Sequence, residues 1–240
     1  MSSYKRVLLK LSGEALADKN NNVILASFSL DKIAEAIKRM VDKGIQVAIV
    51  VGAGNIWRGK LATQIGIESA TADYMGMLGT IINSLALQSA IEKTGIGCRV
   101  LSAIEVKSVA ETYIRRRAIR HLEKGRVVVF AGGTGNPYFT TDTCATLRAM
   151  EINADAILMA KNGVDGVYTA DPKIDKNAKF IKEITFAEML KKDLKVMDPT
   201  AIALLKNYAI EIRVFDMNES TNIDKLINGE DVGTIIRKGE

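Results

Sequence analysis

The stretch Val127-Val128-Val129-Phe130-Ala131-Gly132-Gly133-Thr134-Gly135-Asn136-Pro137-Tyr138-Phe139-Thr140-Thr141-Asp142 decides the fold. A short β-branched apolar run that breaks off in glycines is the pattern of a buried parallel strand leaving the carboxyl edge of its sheet. Ligands of open α/β sheets bind at that edge. The glycines let backbone N–H groups approach a phosphate, the threonines add hydroxyls, and Pro137 stiffens the loop before a helix that Asp142 is placed to open. Two readings stand: a binding loop for a phosphorylated molecule, or an ordinary strand-to-helix turn.

Upstream the pattern recurs. Arg6 to Leu11 reads as a strand running into Lys10-Leu11-Ser12-Gly13-Glu14, where an ammonium stands beside backbone donors. That is a place for a polyphosphate, or a solvated lysine before a turn. Ser29 can cap a helix from Leu30 to Lys43 that Gly44 stops. Gln46 to Val51 is a second strand, ending in Gly52-Ala53-Gly54-Asn55-Ile56-Trp57-Arg58-Gly59-Lys60. Alternating strand and helix predicts right-handed parallel crossovers. Gly54 to Lys60 has P-loop spacing, but Leu61 stands where a Mg²⁺-binding hydroxyl belongs, and Trp57 replaces the third glycine of a dinucleotide fingerprint. A glycine turn with Arg58 behind it remains, and a guanidinium grips phosphate oxygens two at a time.

Ser69 to Lys93 reads as a helix apolar on more than one face, either deeply buried or covered by another subunit, with Asp73 in its first turn. Cys98 to Leu101 is a short strand. Ser108 to Gly125 reads as a helix carrying Arg115, Arg116, Arg117, Arg120 and His121, a solvated face rather than a nucleic-acid surface, since no aromatic platform accompanies it. His121 receives no catalytic role. Thr143 to Ile152 is a helix, and Ala156 to Met159 a strand that leads through Lys161-Asn162-Gly163 to Tyr168 and Asp171. Those polar groups suit a nucleoside or simple turn chemistry. Short helices at Phe186 to Leu190, from Asp198-Pro199, and at Ile223 to Ile227, with strands at Glu211 to Phe215 and Gly233 to Ile236, complete the chain.

At 240 residues, 48% of them hydrophobic, the chain is expected to form one domain over residues 1 to 240. A net charge of +5 fits an anionic partner, although 25% charged residues of both signs is an ordinary surface. Cys98 and Cys144, the only cysteines, form neither a disulfide framework nor a zinc site. With no signal-peptide pattern and no apolar run of about 18 residues, a cytoplasmic protein that crosses no membrane is expected.

Phosphate-friendly loops around Lys10, Arg58, Thr134 and Lys161, all at strand ends, suit two phosphorylated molecules held end to end. Phosphoryl transfer depends mainly on such positioned positive charge. A phosphate acceptor is already ionised near neutral pH and needs no general base, in keeping with the lack of a usable histidine.

The segments Lys10-Leu11-Ser12-Gly13-Glu14, Gly52 to Gly59, Asp73-Tyr74-Met75-Gly76-Met77-Leu78, Gly132 to Asp142, Asp165 to Pro172 and Lys195-Val196-Met197-Asp198 together resemble bacterial UMP kinases (uridylate kinases) of the amino acid kinase family, in order and over essentially the whole chain. The resemblance implies a three-layer α/β/α sandwich with a mostly parallel central sheet. It implies Mg²⁺-dependent transfer of the ATP γ-phosphoryl to UMP, giving UDP and ADP for pyrimidine nucleotide synthesis, by a homohexamer built as a trimer of dimers. Carried over position by position, Lys10 and Arg58 would stabilise the transferring phosphoryl. Leu11, Ser12, Gly13 and Gly54 would line the ATP phosphates, and Asn162, Tyr168 and Asp171 the adenosine. Ala53, Asp73, Thr134, Gly135, Asn136, Pro137, Tyr138, Phe139, Thr140 and Thr141 would hold UMP. Asp198 would be a catalytic acid associated with Mg²⁺, the ion being held mainly by nucleotide phosphates. Arg99 and Arg126 match positions of an effector site for GTP or UTP. Ala53 stands where the family usually has glycine, so its backbone must avoid positive φ. Two other readings stay open: a kinase for an amino acid carboxylate, and a nucleotide-sensing protein that docks nucleic acid.

Overall fold

The computed structural model describes residues 4–161, 163–172, 174–194, 196–219 and 221–239. The chain runs β1 (Arg6–Leu11), α1 (Ser27–Asp42), β2 (Gln46–Val51), α2 (Gly59–Gln64), α3 (Ser69–Lys93), β3 (Cys98–Ser102), β4 (Glu111–Thr112), α4 (Arg115–Glu123), β5 (Val127–Ala131), α5 (Thr141–Glu151) and β6 (Ala156–Lys161). It continues through β7 (Val167–Tyr168), β8 (Phe180–Ile181), β9 (Glu183–Thr185), α6 (Phe186–Lys191), α7 (Pro199–Leu205), β10 (Glu211–Asp216), α8 (Asn222–Ile227) and β11 (Thr234–Arg237).

Among the described residues nine strands form one sheet in the order β4-β3-β5-β2-β1-β6-β10-β11-β9, while β7 and β8 pair as a separate hairpin. The seven strands from β4 to β10 are mutually parallel; β11 runs antiparallel to β10 and parallel to β9. Successive side chains of a strand point to opposite faces, so a strand covered on both sides is apolar throughout. The core divides on that rule. Leu9, Ile49, Val129 and Leu158 pack with α1, α3 and α8 on one face. Leu8, Ala48, Val128 and Ile157 pack with α4, α5, α6 and α7 on the other. This is the three-layer arrangement expected from sequence. Each fully buried Leu or Phe, such as Leu8, Leu9 and Phe130, contributes roughly 1.5–3 kcal/mol through removal of its apolar surface from water.

The structure corrects three local expectations. Helix α1 begins at Ser27, with Ala26 at its cap position and no side chain capping it, so Ser29 lies inside the helix. The segment expected to be helical from Ser108 begins instead with strand β4, which pairs with β3; Tyr113 then donates its N–H to Ser102 O at 2.9 Å, and α4 starts only at Arg115. Pairing at the sheet edge and packing of the Tyr113 ring edge-on against Phe130, 5.6 Å between centroids, outweigh helix propensity there. Helix α5 is capped by Thr140, whose hydroxyl accepts from Thr143 N at 3.2 Å, rather than opened by Asp142.

Among the described residues no helix is long and apolar enough to cross a membrane. In the 25-residue α3 the apolar run is interrupted by buried Thr80, Asn83 and Ser84.

Candidate active site

Strands β1, β2, β5 and β6 lie side by side and end at one edge of the sheet, where their loops meet. The β1 and β2 loops touch through Gly13: a Cβ there would lie 2.5 Å from Gly52 O and 2.4 Å from Asn55 Oδ1. No side chain fits, so glycine is required by contact rather than by dihedral angle. Gly52 N donates to Leu11 O at 3.0 Å, closing the two loops together. Leu11 is wholly buried, so only its backbone is presented to the site.

The β2 loop is held from below by α3. Asn83, fully buried, donates from Nδ2 to Gly52 O at 2.8 Å and exchanges amide hydrogen bonds with Asn55, which in turn donates to Ile24 O at 2.9 Å. The Trp57 indole N–H donates to Ala72 O at 2.9 Å. Ala53 is absent from the residues with positive φ, as its place in a glycine position demanded.

At the tip of β5, Gly132 and Gly133 have φ of +72° and +60°, conformations that an L side chain rarely adopts. Gly132 N donates to the hydroxyl of Thr80 at 2.9 Å, a second polar residue of α3 spent on a turn. Thr134 closes the next turn on itself, donating to Asn136 O at 3.1 Å and accepting from Asn136 N at 3.2 Å. Tyr138 also has positive φ, +70°, and its N–H donates to Asp73 Oδ2 at 2.7 Å, which ties the far side of the loop to α3.

A cavity of about 300 Å³ lies between these parts, lined by Ala53, Gly54, Asp73, Gly133, Phe139, Thr140 and Thr141 together with Trp57, Met77 and Phe130. The structure therefore gathers five of the ten residues expected to hold an acceptor, Ala53, Asp73, Phe139, Thr140 and Thr141, around one hollow. Thr134, Gly135, Asn136, Pro137 and Tyr138 form the outer turn of the same loop rather than the cavity wall. Cys144 also faces the cavity, but burial pushes its thiol up to about 11, which removes it as a nucleophile at neutral pH.

Beside that hollow the cations converge. Lys10 Nζ lies 2.6 Å from Asp142 Oδ1, in the first turn of α5. Lys161, on the neighbouring strand β6, donates to Val196 O at 3.0 Å. Burial and the nearby Lys10 charge hold the Lys161 ammonium below the ordinary lysine range, with Asp142 opposing them. Asp142 and Asp198 share the wall of a second cavity, of about 620 Å³, with Met189, Val196, Met197 and Ile202. Asp198 caps α7, accepting from Ala201 N at 2.9 Å, and accepts from the hydroxyls of Thr140 and of Thr143, the latter at 2.9 Å. Burial works against its ionised form, yet these donors outweigh it and hold the carboxyl below its usual value.

Other expected site residues stand differently. The Arg58 guanidinium pairs with Glu14, and its Nε donates to Gly54 O at 3.2 Å, so it faces the β1 loop rather than the cavity beside Asp73. Glu14 also accepts from Lys19 at 2.5 Å, and that bond above all holds its carboxyl below the ordinary range. Ser12 caps the turn Gly13–Leu16 by accepting from Glu14 N at 3.3 Å. Tyr168 sits on the β7–β8 hairpin with its hydroxyl 2.9 Å from Asp165 and its ring edge-on to Phe180, while the Asp171 carbonyl accepts from Ile174 N and Asp175 N in a turn. Asn162, expected near the adenosine, and Lys195 lie outside the described residues. Arg99 and Arg126 sit together at the amino ends of β3 and β5, the edge of the sheet remote from these loops; Arg99 reaches Glu92 at 3.3 Å and Arg126 reaches His121 at 3.2 Å.

Sequence reading missed Thr80, Asn83 and the pairing of Asp142 with Lys10. The signal for the first two was present: polar residues set inside an apolar helix must find partners when buried.

Residues 5–216 match the amino acid kinase family. The fold is similar to that of a UMP kinase from Bacillus anthracis, with a TM-score of 0.95 and 46% identity over 99% of this chain and 97% of that one. It is similar to a UMP kinase from Ureaplasma parvum, with a TM-score of 0.92 and 40% identity over 98% and 99% of the two chains. A uridylate kinase from Archaeoglobus fulgidus matches with a TM-score of 0.73 and 30% identity over 98% and 100%. With the fold, the glycine turns and these likenesses in agreement, the chain belongs to the amino acid kinase family.

Proposed function

We propose that the protein is a UMP kinase, which moves the γ-phosphoryl of ATP onto the phosphate of UMP and releases UDP and ADP. The observation that carries the reading is the placement of Lys10, paired to Asp142, beside a hollow built from Asp73 and the Gly133–Thr141 loop. UMP occupies that hollow, with Asp73 toward its ribose and the Thr140–Thr141 end of the loop toward its phosphate. ATP lies across the tips of β1 and β6, its phosphates over Ser12, Gly13 and Gly54 and its adenosine toward Tyr168 and Asp171.

An oxygen of the UMP phosphate attacks the γ-phosphorus as the bond to the bridging oxygen breaks, and the electron pair leaves on ADP. The acceptor is largely ionised near pH 7, since a phosphate monoester has a second pKa of about 6, so no base is required. Charge accumulating on the transferring oxygens is met by Lys10, by Arg58 once it leaves Glu14, and by backbone N–H groups of the glycine turns.

The residues fit Mg²⁺. Among the described residues no group of three or more His, Cys, Asp or Glu could cage a metal, but Asp142 and Asp198 share a cavity wall, and Mg²⁺ commonly takes one or two carboxylates beside nucleotide phosphates. When bound, the ion would neutralise charge on the phosphates.

The 240 residues act as one catalytic unit, in the cytoplasm, where the free cysteines Cys98 and Cys144 stay reduced. The outer face of α3 carries Tyr74, Leu78 and Ile82, exposed by 44%, 49% and 50% and spaced one turn apart. This apolar stripe supports a dimer that assembles further into a hexamer. Arg99 and Arg126 offer GTP or UTP a site at the remote edge of the sheet. A nucleic-acid role has less support: Arg115 donates to Glu151 O, and Arg117 lies 3.6 Å from Glu111.

An ADP-release assay offering UMP, CMP, acetylglutamate and aspartate tests the reading. Turnover of UMP is expected; turnover of a carboxylate with UMP silent ends it.

A further inference from the structure

Arg148 lies on α5, 4% exposed, behind the acceptor hollow. Its Nη1 is 2.7 Å from Glu151 Oε2, its guanidinium carbon stands 3.8 Å over the centre of the Tyr113 ring, and its Nη2 donates to Gly133 O at 3.4 Å. Nε is buried and has no hydrogen-bond partner.

We propose that Arg148 is a positioning residue for the phosphate acceptor, holding Gly133 and thereby the turn against which the acceptor rests. The inference builds on the proposed function and assigns Arg148 to the acceptor side of that site.

Gly132 and Gly133 are anchored from opposite directions. Thr80, from the α3 layer, takes the Gly132 N–H, and Arg148, from the α5 layer, takes the Gly133 carbonyl. Two consecutive residues with positive φ need such restraint, because glycine has many other conformations open to it. Arg148 is poorly explained as a source of stability. Burying a guanidinium carries a large desolvation cost, and an apolar side chain filling the same space is often as stable or more so. The unpartnered Nε adds to that cost. What an apolar residue cannot supply is a donor for Gly133 O, and Gly133 forms part of the acceptor cavity. The Glu151 carboxylate, 2.7 Å from Nη1, sets the donor direction of the guanidinium before any ligand arrives, while the Tyr113 ring packs over its face.

The test compares Arg148→Met, Arg148→Lys and Tyr113→Leu with the unaltered chain. Arg148→Met is expected to raise KM for UMP roughly tenfold, leave KM for ATP within about twofold, and speed amide hydrogen exchange across Gly132–Gly135. Arg148→Lys keeps the charge without the planar fork and is expected to fall between. Tyr113→Leu removes the ring but keeps the donor; it is expected to lower Tm while KM for UMP changes by less than about threefold. Should Arg148→Met fail to fold, the lysine variant decides on the same readouts. An unchanged KM for UMP, an equal rise in both KM values, or a rise reproduced by Tyr113→Leu overturns the proposal. If the unaltered chain does not turn over UMP, the functional reading falls by itself; hydrogen exchange then judges Arg148, and unchanged exchange at Gly132–Gly135 overturns it.

Discussion

Gly79 on α3 lies directly behind Ala53 of the β2 loop: a Cβ at position 79 would come within 2.9 Å of the Ala53 Cβ. The two positions share room for a single methyl group. Gly79→Ala would gain about 1 kcal/mol of helix propensity but forces two rigid backbones apart, and overpacking of that kind costs about 1–3 kcal/mol. A net loss of stability is expected in urea unfolding. Adding Ala53→Gly should recover most of it, and simple additivity in that double-mutant cycle would show that the two sites do not compete.

Lys10→Ala is expected to lower kcat by on the order of 10² or more, as removal of transition-state charge stabilisation does. Asp142 then loses the partner 2.6 Å away, so some stability is lost as well. Single-turnover kinetics on folded protein separate the two effects, and an unchanged chemical rate would remove Lys10 from the mechanism.

The pH dependence follows from Asp198. Its folded value is held below the ordinary 3.8, so its contribution to stability is complete above the unfolded value and drains away as pH falls through the folded one. Asp198→Asn should therefore be less stable than the unaltered chain at pH 6, with the gap closing below about pH 4. Thermal melts from pH 6 to pH 3 measure this, and a constant gap would mean that shape rather than charge binds Asp198 to Thr140 and Thr143.

On the exposed side of α3, Leu78→Glu places a charge in the middle of the stripe formed with Tyr74 and Ile82. Sedimentation velocity is expected to show a smaller particle than the unaltered chain gives at equal concentration. Identical sedimentation would mean that the stripe is not a subunit contact.

The strands at the sheet centre were legible because each is short, β-branched and cut off by glycine, as at Val127–Ala131 and Gln46–Val51. The glycine turns were legible for the same reason, and the course of the Gly132–Thr141 loop follows from them. Less visible was whatever depends on a partner distant in the chain. Strand β4 exists through its pairing with β3, and nothing in its own residues outweighs the helical pattern that follows. Asp142 resembled a cap because caps are local; its partner Lys10 is far upstream in the chain. Arg58 reads as a phosphate grip, and only the folded chain shows that it pairs with Glu14.

Helix α3 works as a beam with two loads. Its inner side carries Thr80 and Asn83, which grasp the β5 and β2 turns, while its outer side carries the stripe centred on Leu78. A neighbour pressing on the outer side cannot slide the helix without carrying both turns with it. The face proposed to meet another subunit and the side chains that hold both turns thus belong to one helix.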